Sequence, residues 1–268
     1  ILVEVHAAGV NPVDWKIREG YLQQMVPLQF PATLGGDFSG VAREVGEGVF
    51  DFKEGDELYG QASVLAGSSG SFAEFALVDP KTVSLKPSNV SHTEAAALPL
   101  AGVSALQALV EHMGLSKGQK VLIHGGAGGI GSFAIQLAKH LGAQVTVTAS
   151  TDEKQYVMTL GADECIDYKT QSFEDLVKEY DAVFDTVGGE TYKKSFQILK
   201  KGGMIVSMVE QPDSELMAQY GVKAIAQFTQ VNNERLAKLG ELVEASVIKV
   251  HVDKIFSLDQ TRDALVYL

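Results

Sequence analysis

One stretch, Gly125-Gly126-Ala127-Gly128-Gly129-Ile130-Gly131, constrains the fold more than any other part of the chain. It holds the spacing G-x-G-x-x-G at Gly126, Gly128 and Gly131, between the apolar run Val121-Leu122-Ile123-His124 and an amphipathic stretch from Ile130 to Leu141. A lone match to that spacing is weak; a strand before it and a helix after it make it specific. The physics is local. Gly126 permits a tight turn, Gly128 lets a pyrophosphate approach the backbone, and Gly131 lets helix and strand pack closely. The start of the helix, with Ala127, Gly129 and Ile130 completing the cradle, offers unpaired N–H donors and a favourable dipole to phosphate oxygens.

Around this turn, apolar runs alternate with helical stretches. Val145–Thr148, Glu164–Ile166, Ala182–Phe184 and Met204–Ser207 read as strands; Glu153–Leu160, Phe173–Lys178 and Tyr192–Leu199 read as the helices between them. That alternation predicts a doubly wound parallel α/β sheet with helices on both faces. The first hundred residues are instead β-rich and loop-rich. Leu2 to His6 alternates with period two, and Val41–Val45, Glu57–Tyr59 and Phe72–Val78 are short strand candidates. Ser91 and Glu94 form an S-x-x-E helix start. Ala224–Thr229 reads as one more strand, Asn233–Ala245 as a helix, and Ile248–Val252 resembles the early strands. The expected organisation is a β-rich domain over 1–103, a nucleotide-binding domain over 104–234, and a return to the first domain over 235–268. The chain opens in mid-strand at Ile1 and stops in a helical pattern at Leu268, so the first domain is expected to be N-terminally incomplete.

The 268 residues carry 22 Lys plus Arg against 34 Asp plus Glu, a net charge of −12. Such a surface repels nucleic-acid backbone and anionic membrane. No apolar run reaches the length of a membrane-spanning helix. One cysteine, Cys165, excludes a disulfide framework and any multi-cysteine metal site, and is compatible with a reducing compartment; the expected location is cytoplasmic. Cys165 is expected to be a small buried hydrophobe. The six histidines are scattered without ligand spacing.

The tip of the second strand of such a sheet selects the dinucleotide. NAD sites place Asp or Glu there, on the ribose 2′-hydroxyl. Here the strand ends Val147-Thr148-Ala149-Ser150-Thr151, without an acid at its tip. Ser150 can donate to a 2′-phosphate, Lys154 follows closely, and Tyr168 after the next strand can close the same pocket. The pattern favours NADP(H). Ser150 and Glu153 also spell S-x-x-E, so Ser150 doubles as a helix cap, and Asp152 or Glu153 bending back to the ribose is the alternative.

The order of motifs carries a resemblance. Ala7-Ala8-Gly9-Val10-Asn11-Pro12-Val13-Asp14 comes first, then Leu34-Gly35-Gly36-Asp37-Phe38-Ser39-Gly40, Gly55-Asp56, Gly70-Ser71-Phe72-Ala73-Glu74-Phe75, Ala96-Ala97-Leu98-Pro99-Leu100-Ala101-Gly102 and the glycine turn. Nearly the whole chain resembles the medium-chain dehydrogenase/reductase superfamily, in its zinc-independent quinone oxidoreductase and enone reductase branch. The resemblance implies a GroES-like substrate domain beside a Rossmann domain, a homodimer joined through the edge near Ala224–Thr229, and a small-molecule quinone or α,β-unsaturated carbonyl as substrate. Zinc-dependent relatives have Cys where this chain has Asn11 and His-Glu where it has Gly36-Asp37, and their four-cysteine lobe has no counterpart; no metal is expected.

The resemblance also assigns residues. Asn11 falls beside the nicotinamide. Lys16 stands where some quinone reductases have Tyr and is the first candidate to stabilise the enolate or oxyanion. Tyr21 is a second donor, and Asp14 orients Lys16 or the loop. Ser104, Val187 and Gly188 fall against the nicotinamide end of the cofactor. Two bland readings stand beside these: Lys16 belongs to a solvated helix face, and Ser104 is a helix-start residue. Two other functions compete, a metal-free alcohol or aldehyde oxidoreductase and a non-catalytic NADPH-binding protein of crystallin-like or redox-sensing kind.

Overall fold

Alternation along β1 (Leu2–Gly9) buries Val3 completely and leaves its neighbours partly exposed, which places the strand on one face of a core. After β1 come α1 (Pro12–Arg18), β2 (Asp37–Glu44), β3 (Glu57–Gln61), β4 (Phe75–Leu77), β5 (Val83–Leu85), α2 (His92–Ala96) and α3 (Pro99–Leu106). The strands form one antiparallel sheet in the order β4-β1-β2-β3-β5. Val3, Phe38, Ala42, Leu58, Ala62, Ala76, Val78 and Val83 make its core. Ser91 opens α2 as the S-x-x-E pattern predicts: its hydroxyl accepts from the Glu94 N–H at 3.2 Å and its N–H donates to Glu94 Oε2 at 2.8 Å. The computed structural model describes residues 1–24 and 27–268.

A second sheet follows: β6 (Lys120–His124), α4 (Gly129–His140), β7 (Gln144–Ala149), α5 (Lys154–Thr159), β8 (Glu164–Asp167), α6 (Phe173–Leu176), β9 (Tyr180–Asp185), α7 (Gly189–Ser195), β10 (Leu199–Ser207), α8 (Ser214–Tyr220) and β11 (Lys223–Ala226). Every ladder is parallel, in the order β11-β10-β9-β6-β7-β8. Val121, Leu122 and Ile123 of β6 are wholly buried, as a strand covered on both faces requires. The chain starts at the centre with β6, winds outward to β8, then crosses to β9 on the other side. Reversal of direction between β6 and β9 opens a crevice at the carboxyl ends of the strands. This is the doubly wound sheet that the β/α alternation predicts.

The chain divides into two compact units, Ile1–Val103 with Gln230–Leu268, and Ser104–Thr229. Re-entry into the first unit is made by α9 (Asn233–Glu244), which Asn232 caps by accepting from the Arg235 N–H at 2.9 Å. Leu236, Leu239, Gly240 and Val243 form its buried stripe. The Tyr59 hydroxyl donates to the Leu236 carbonyl, Asn89 Nδ2 donates to the Val243 carbonyl at 3.0 Å, and the Ser88 N–H donates to Glu244 Oε1 at 2.9 Å. A last helix, α10 (Thr261–Tyr267), follows. Among the described residues no helix is long and apolar enough to cross a membrane.

Several element ends differ from the sequence reading. β2 begins at Asp37 rather than Val41, because the antiparallel ladder to β1 extends to the Gly9–Asp37 pair. β4 shrinks to Phe75–Leu77, and α6 stops at Leu176. β10 begins at Leu199, with a break in register before Met204 where Gly202 takes φ +84°. Ile248–Val252 joins neither sheet. Its burial still alternates, with Ile248 buried and Lys249 exposed, but alternation without a partner ladder makes no strand.

Tyr59 is wholly buried, so its hydroxyl has no water to turn to. Tyr59→Phe removes that donor and is expected to lower the unfolding free energy by about 0.5–1.5 kcal/mol, the usual net worth of one hydrogen bond. Urea denaturation followed by circular dichroism measures it.

Candidate functional site

The glycine turn lies at the β6 end of the crevice. Gly125 takes φ +72°, open to glycine at little cost. The Gly126 N–H donates to the Thr148 carbonyl at 2.9 Å, pinning the turn to β7. A Cβ at Gly126 would lie 2.7 Å from Val147 Cβ, and one at Gly131 would lie 2.2 Å from the Gly125 carbonyl oxygen. Internal packing therefore demands glycine at both positions. Gly128 differs: the nearest atom to a Cβ there is 3.4 Å away, an ordinary contact. Nothing inside the protein needs the bare backbone at Gly128, whereas a ligand closing on it would. No side chain caps the α4 N-terminus, so its first N–H groups remain available to an anion. The residues present thus fit a dinucleotide diphosphate.

Across the crevice, the tip of β9 is organised by Asp185, which is completely buried. Its Oδ1 accepts from the Val187 N–H at 3.0 Å and the Gly188 N–H at 2.9 Å, and its Oδ2 accepts from the Ser207 hydroxyl at 2.7 Å. Ser207 Oγ in turn accepts from the N–H groups of Val209 and Glu210. This carboxylate holds Gly188 at φ +81° and leaves the Val187 side chain exposed. The sequence reading marks the run from Asp185 to Gly189 and gives roles to Val187 and Gly188, but none to Asp185 or Ser207. The available signal was an acid directly after the apolar run Ala182-Val183-Phe184, at the end of a strand where ligands bind.

At the tip of β7, Ser150 is engaged. Its hydroxyl and N–H both donate to Glu153 Oε2, at 2.7 and 3.0 Å. Those two hydrogen bonds hold the Glu153 carboxyl below the usual range. The cap reading of Ser150 is therefore the arrangement seen, and it brings a carboxylate to a strand tip where the chain itself has none. Lys154 is exposed, and so is Tyr168 just beyond β8, with Lys169 Nζ 5.9 Å from its ring centroid. Cys165 is half-buried rather than fully buried, and burial pushes its thiol up, away from nucleophilic use. Ser104 lies inside α3, which Pro99 begins, so it is not a helix-start residue. It is wholly buried, with its hydroxyl 2.7 Å from Thr229 Oγ1 and its carbonyl accepting from Gln227 Nε2 at 3.0 Å.

In the first unit, a polar cluster surrounds the start of α1. Pro12 takes the first helical position and Asn11 precedes it in extended conformation. Asp14 Oδ2 accepts from the Asn11 N–H at 2.7 Å, and Asn11 Nδ2 donates to Asp37 Oδ2 at 3.0 Å. Asp37 also accepts from Gln61 Nε2 at 3.0 Å and from the Leu100 N–H at 2.9 Å. Both carboxyls are almost completely buried. Burial pushes Asp14 up to about 7, against the pull of the Asn11 N–H, with Asp37 adding to the rise. Burial likewise pushes Asp37 up to about 6, against its three donors.

Asp14 makes no ion pair with Lys16 among the described residues; it fixes the loop through Asn11 instead. Lys16 is half-buried, with Nζ 5.7 Å from the Trp15 ring centroid. Tyr21 is exposed and packs edge-on against Trp15. Asn11 and Asp37 are bonded to one another. Among the described residues no group of three or more His, Cys, Asp or Glu is arranged to hold a metal ion.

A parallel sheet with a glycine turn at its switch point defines a dinucleotide-binding unit, here joined to an antiparallel β unit. Residues 1–88 match the family model of the alcohol dehydrogenase GroES-like domain, residues 101–211 that of the alanine dehydrogenase/PNT C-terminal domain, and residues 160–268 that of the zinc-binding dehydrogenases. The chain is 40% identical to the 2-methylene-furan-3-one reductase of Solanum lycopersicum, over all of this chain and 68% of that protein. It is 38% identical to the chloroplastic NADPH-dependent alkenal/one oxidoreductase of Arabidopsis thaliana, over all of this chain and 68% of that protein. The solved structure of the quinone oxidoreductase from Coxiella burnetii superposes with a TM-score of 0.90 at 35% identity, covering 100% of this chain and 86% of that one. The chain belongs to the medium-chain dehydrogenase/reductase superfamily, among its quinone oxidoreductases and enone reductases.

The buried acids give a pH signature. A folded-state pKa of about 7 for Asp14, against 3.8 unperturbed, means that the folded protein keeps a proton that the unfolded chain has lost. Its contribution to stability is present at low pH and is lost as pH rises through that window. Asp14→Asn is expected to gain stability relative to the parent protein between about pH 4 and 7, and to hold that gain above it. Urea midpoints of the two proteins across this range test it, and parallel curves would refute it.

Proposed function

We propose that this protein is an NADPH-dependent oxidoreductase that reduces α,β-unsaturated carbonyls or quinones without a metal. The observation that carries the reading is the glycine turn: a cradle whose bare backbone at Gly128 serves no internal contact, at the uncapped start of a 12-residue helix. The relatives named above act on this class of acceptor. Gly126, Ala127, Gly128, Gly129, Ile130 and Gly131 would hold the diphosphate, and Val187 and Gly188, fixed by Asp185, would meet the nicotinamide half. Ser150, Lys154 and Tyr168 would receive the 2′-phosphate. NADPH, when bound, supplies a hydride.

The chain's own residues then manage charge. An enone that accepts hydride at its β-carbon shifts its π electrons onto oxygen, and a proton from water completes the α-carbon. Lys16 is the proposed donor to that oxygen, supported by an amine that forms no salt bridge among the described residues. Asn11 and Asp14 shape the start of α1, which carries Lys16, and Tyr21 is the second proposed donor. Preorganised donors of this kind take the place of a Lewis acid. Ser104, tied to Thr229, is proposed to position the neighbouring backbone rather than to touch the acceptor. The cytoplasm is the proposed compartment, supported by the lone free thiol of Cys165. A homodimer joined through β11, an edge strand of its sheet, is proposed as the assembly; sedimentation as a monomer at micromolar concentration would count against it.

NADPH consumption is expected with 2-alkenals, enones or quinones and not with saturated aldehydes. Tight NADPH binding without turnover on the whole panel would leave a non-catalytic binder, and turnover of saturated aldehydes would indicate an alcohol or aldehyde oxidoreductase. Lys16→Ala is expected to lower kcat by more than about threefold, ~0.65 kcal/mol of barrier, with NADPH affinity unchanged. A smaller loss removes Lys16 from the mechanism.

The Glu153 carboxylate on Ser150 opposes a second anion. Glu153→Gln is expected to raise the NADPH-over-NADH preference in kcat/KM by about threefold to tenfold, the scale of one nearby charge. An unchanged ratio would place the 2′-phosphate elsewhere.

A further inference from the structure

The last residue of β6, His124, is completely buried behind the glycine turn. Its ring nitrogens have separate partners: Nδ1 lies 3.1 Å from Thr148 Oγ1 on β7, and Nε2 lies 2.9 Å from Ser195 Oγ on α7. The Ser195 hydroxyl proton is committed to the Thr191 carbonyl at 2.7 Å, so Ser195 can only accept from the ring. Nε2 therefore carries the proton and Nδ1 is bare. Thr148 must then donate to Nδ1, which leaves its oxygen to accept the Gly125 N–H at 3.2 Å. Every donor and acceptor along this line points one way, from the first residue of the turn through Thr148 and His124 to the backbone of α7. The His124 carbonyl also receives the Thr186 hydroxyl at 2.8 Å, from the opposite lip of the crevice.

We infer that His124 is a positioning residue for the diphosphate-binding turn: as a neutral imidazole protonated on Nε2, it orients the Thr148 hydroxyl so that Thr148 anchors Gly125. This rests on the reading of the turn as the NADPH site. Burial pushes His124 down to about 4, against the pull of Asp185 and Glu174, so the ring is neutral at working pH. Phe173, edge-on to the ring at 4.6 Å between centroids, packs against it.

The two arms can be cut separately. Asn at position 124 keeps an acceptor near the place of Nδ1 and loses the Ser195 arm; Leu loses both. NADPH affinity by fluorescence titration is expected to weaken about tenfold in Thr148→Val and His124→Leu, to stay within about threefold of the parent in His124→Asn, and to return in Thr148→Ser. At saturating NADPH, kcat and the KM for the acceptor should hold in Thr148→Val, a split that general loss of stability would not produce. The nitrogen-15 shifts of the His124 ring in the parent protein should report the Nε2–H tautomer from pH 6 to 8. An Nδ1–H tautomer, or Thr148→Val binding NADPH as tightly as a parent protein that does bind it, overturns the inference. A parent protein that does not bind NADPH overturns the underlying reading instead.

Discussion

A single missing methyl group governs the nucleotide unit. A Cβ on Gly131 would lie 2.2 Å from the Gly125 carbonyl oxygen, so α4 can approach the end of β6 only because that carbon is absent. The approach brings the positive end of a helix to the carboxyl ends of the central strands. The other polar groups there serve that placement. Thr148 pins the turn to β7, and Asp185 gathers the N–H groups beyond β9. A parallel sheet buried on both faces has few places to put polar groups, and this one concentrates them where the strand order reverses.

The first unit solves a different problem with buried acids. Two carboxyls removed from water are costly unless they are protonated or fully hydrogen-bonded. Asp37 has donors from Asn11, Gln61 and Leu100, drawn from three separate stretches of chain, whereas Asp14, with the Asn11 N–H, meets the requirement by holding its proton up to about pH 7. Asn11 touches both acids, and so it sets where the loop leaves β1 and where α1 begins.

Much of this was legible in the sequence, for identifiable reasons. The glycine turn and the β/α rhythm fix the second sheet, because both follow from local sterics and periodicity. Strand ends were less legible. β2 starts four residues before Val41 because a ladder to β1 exists there, and Ile248–Val252 keeps its alternation but finds no ladder. Ser104 looked like the start of a helix because the rhythm changes near it, whereas α3 begins at Pro99. Asp37 and His124 carry dense hydrogen bonding whose roles do not show in the sequence, since their side-chain partners lie at least 24 residues away along the chain, whereas Asp185 binds the N–H groups two and three residues on and only its bond to Ser207 is distant. Ser150 was readable as both cap and phosphate donor; its N–H donates to Glu153 Oε2 as a capping box requires, and its hydroxyl donates to the same oxygen.

The order in which the chain is made has a consequence for its maturation. Ser104–Thr229 is one uninterrupted stretch, whereas the β unit is split around it. Tyr59 waits for Leu236 and Ser88 for Glu244, separations of 177 and 156 residues. The nucleotide unit can close while its sequence emerges from the ribosome, but the β unit stays unsealed until α9 is released. Its half-built apolar face stays open in that interval, and damage in α9 would be felt by β3, whose Tyr59 is translated 177 residues before Leu236.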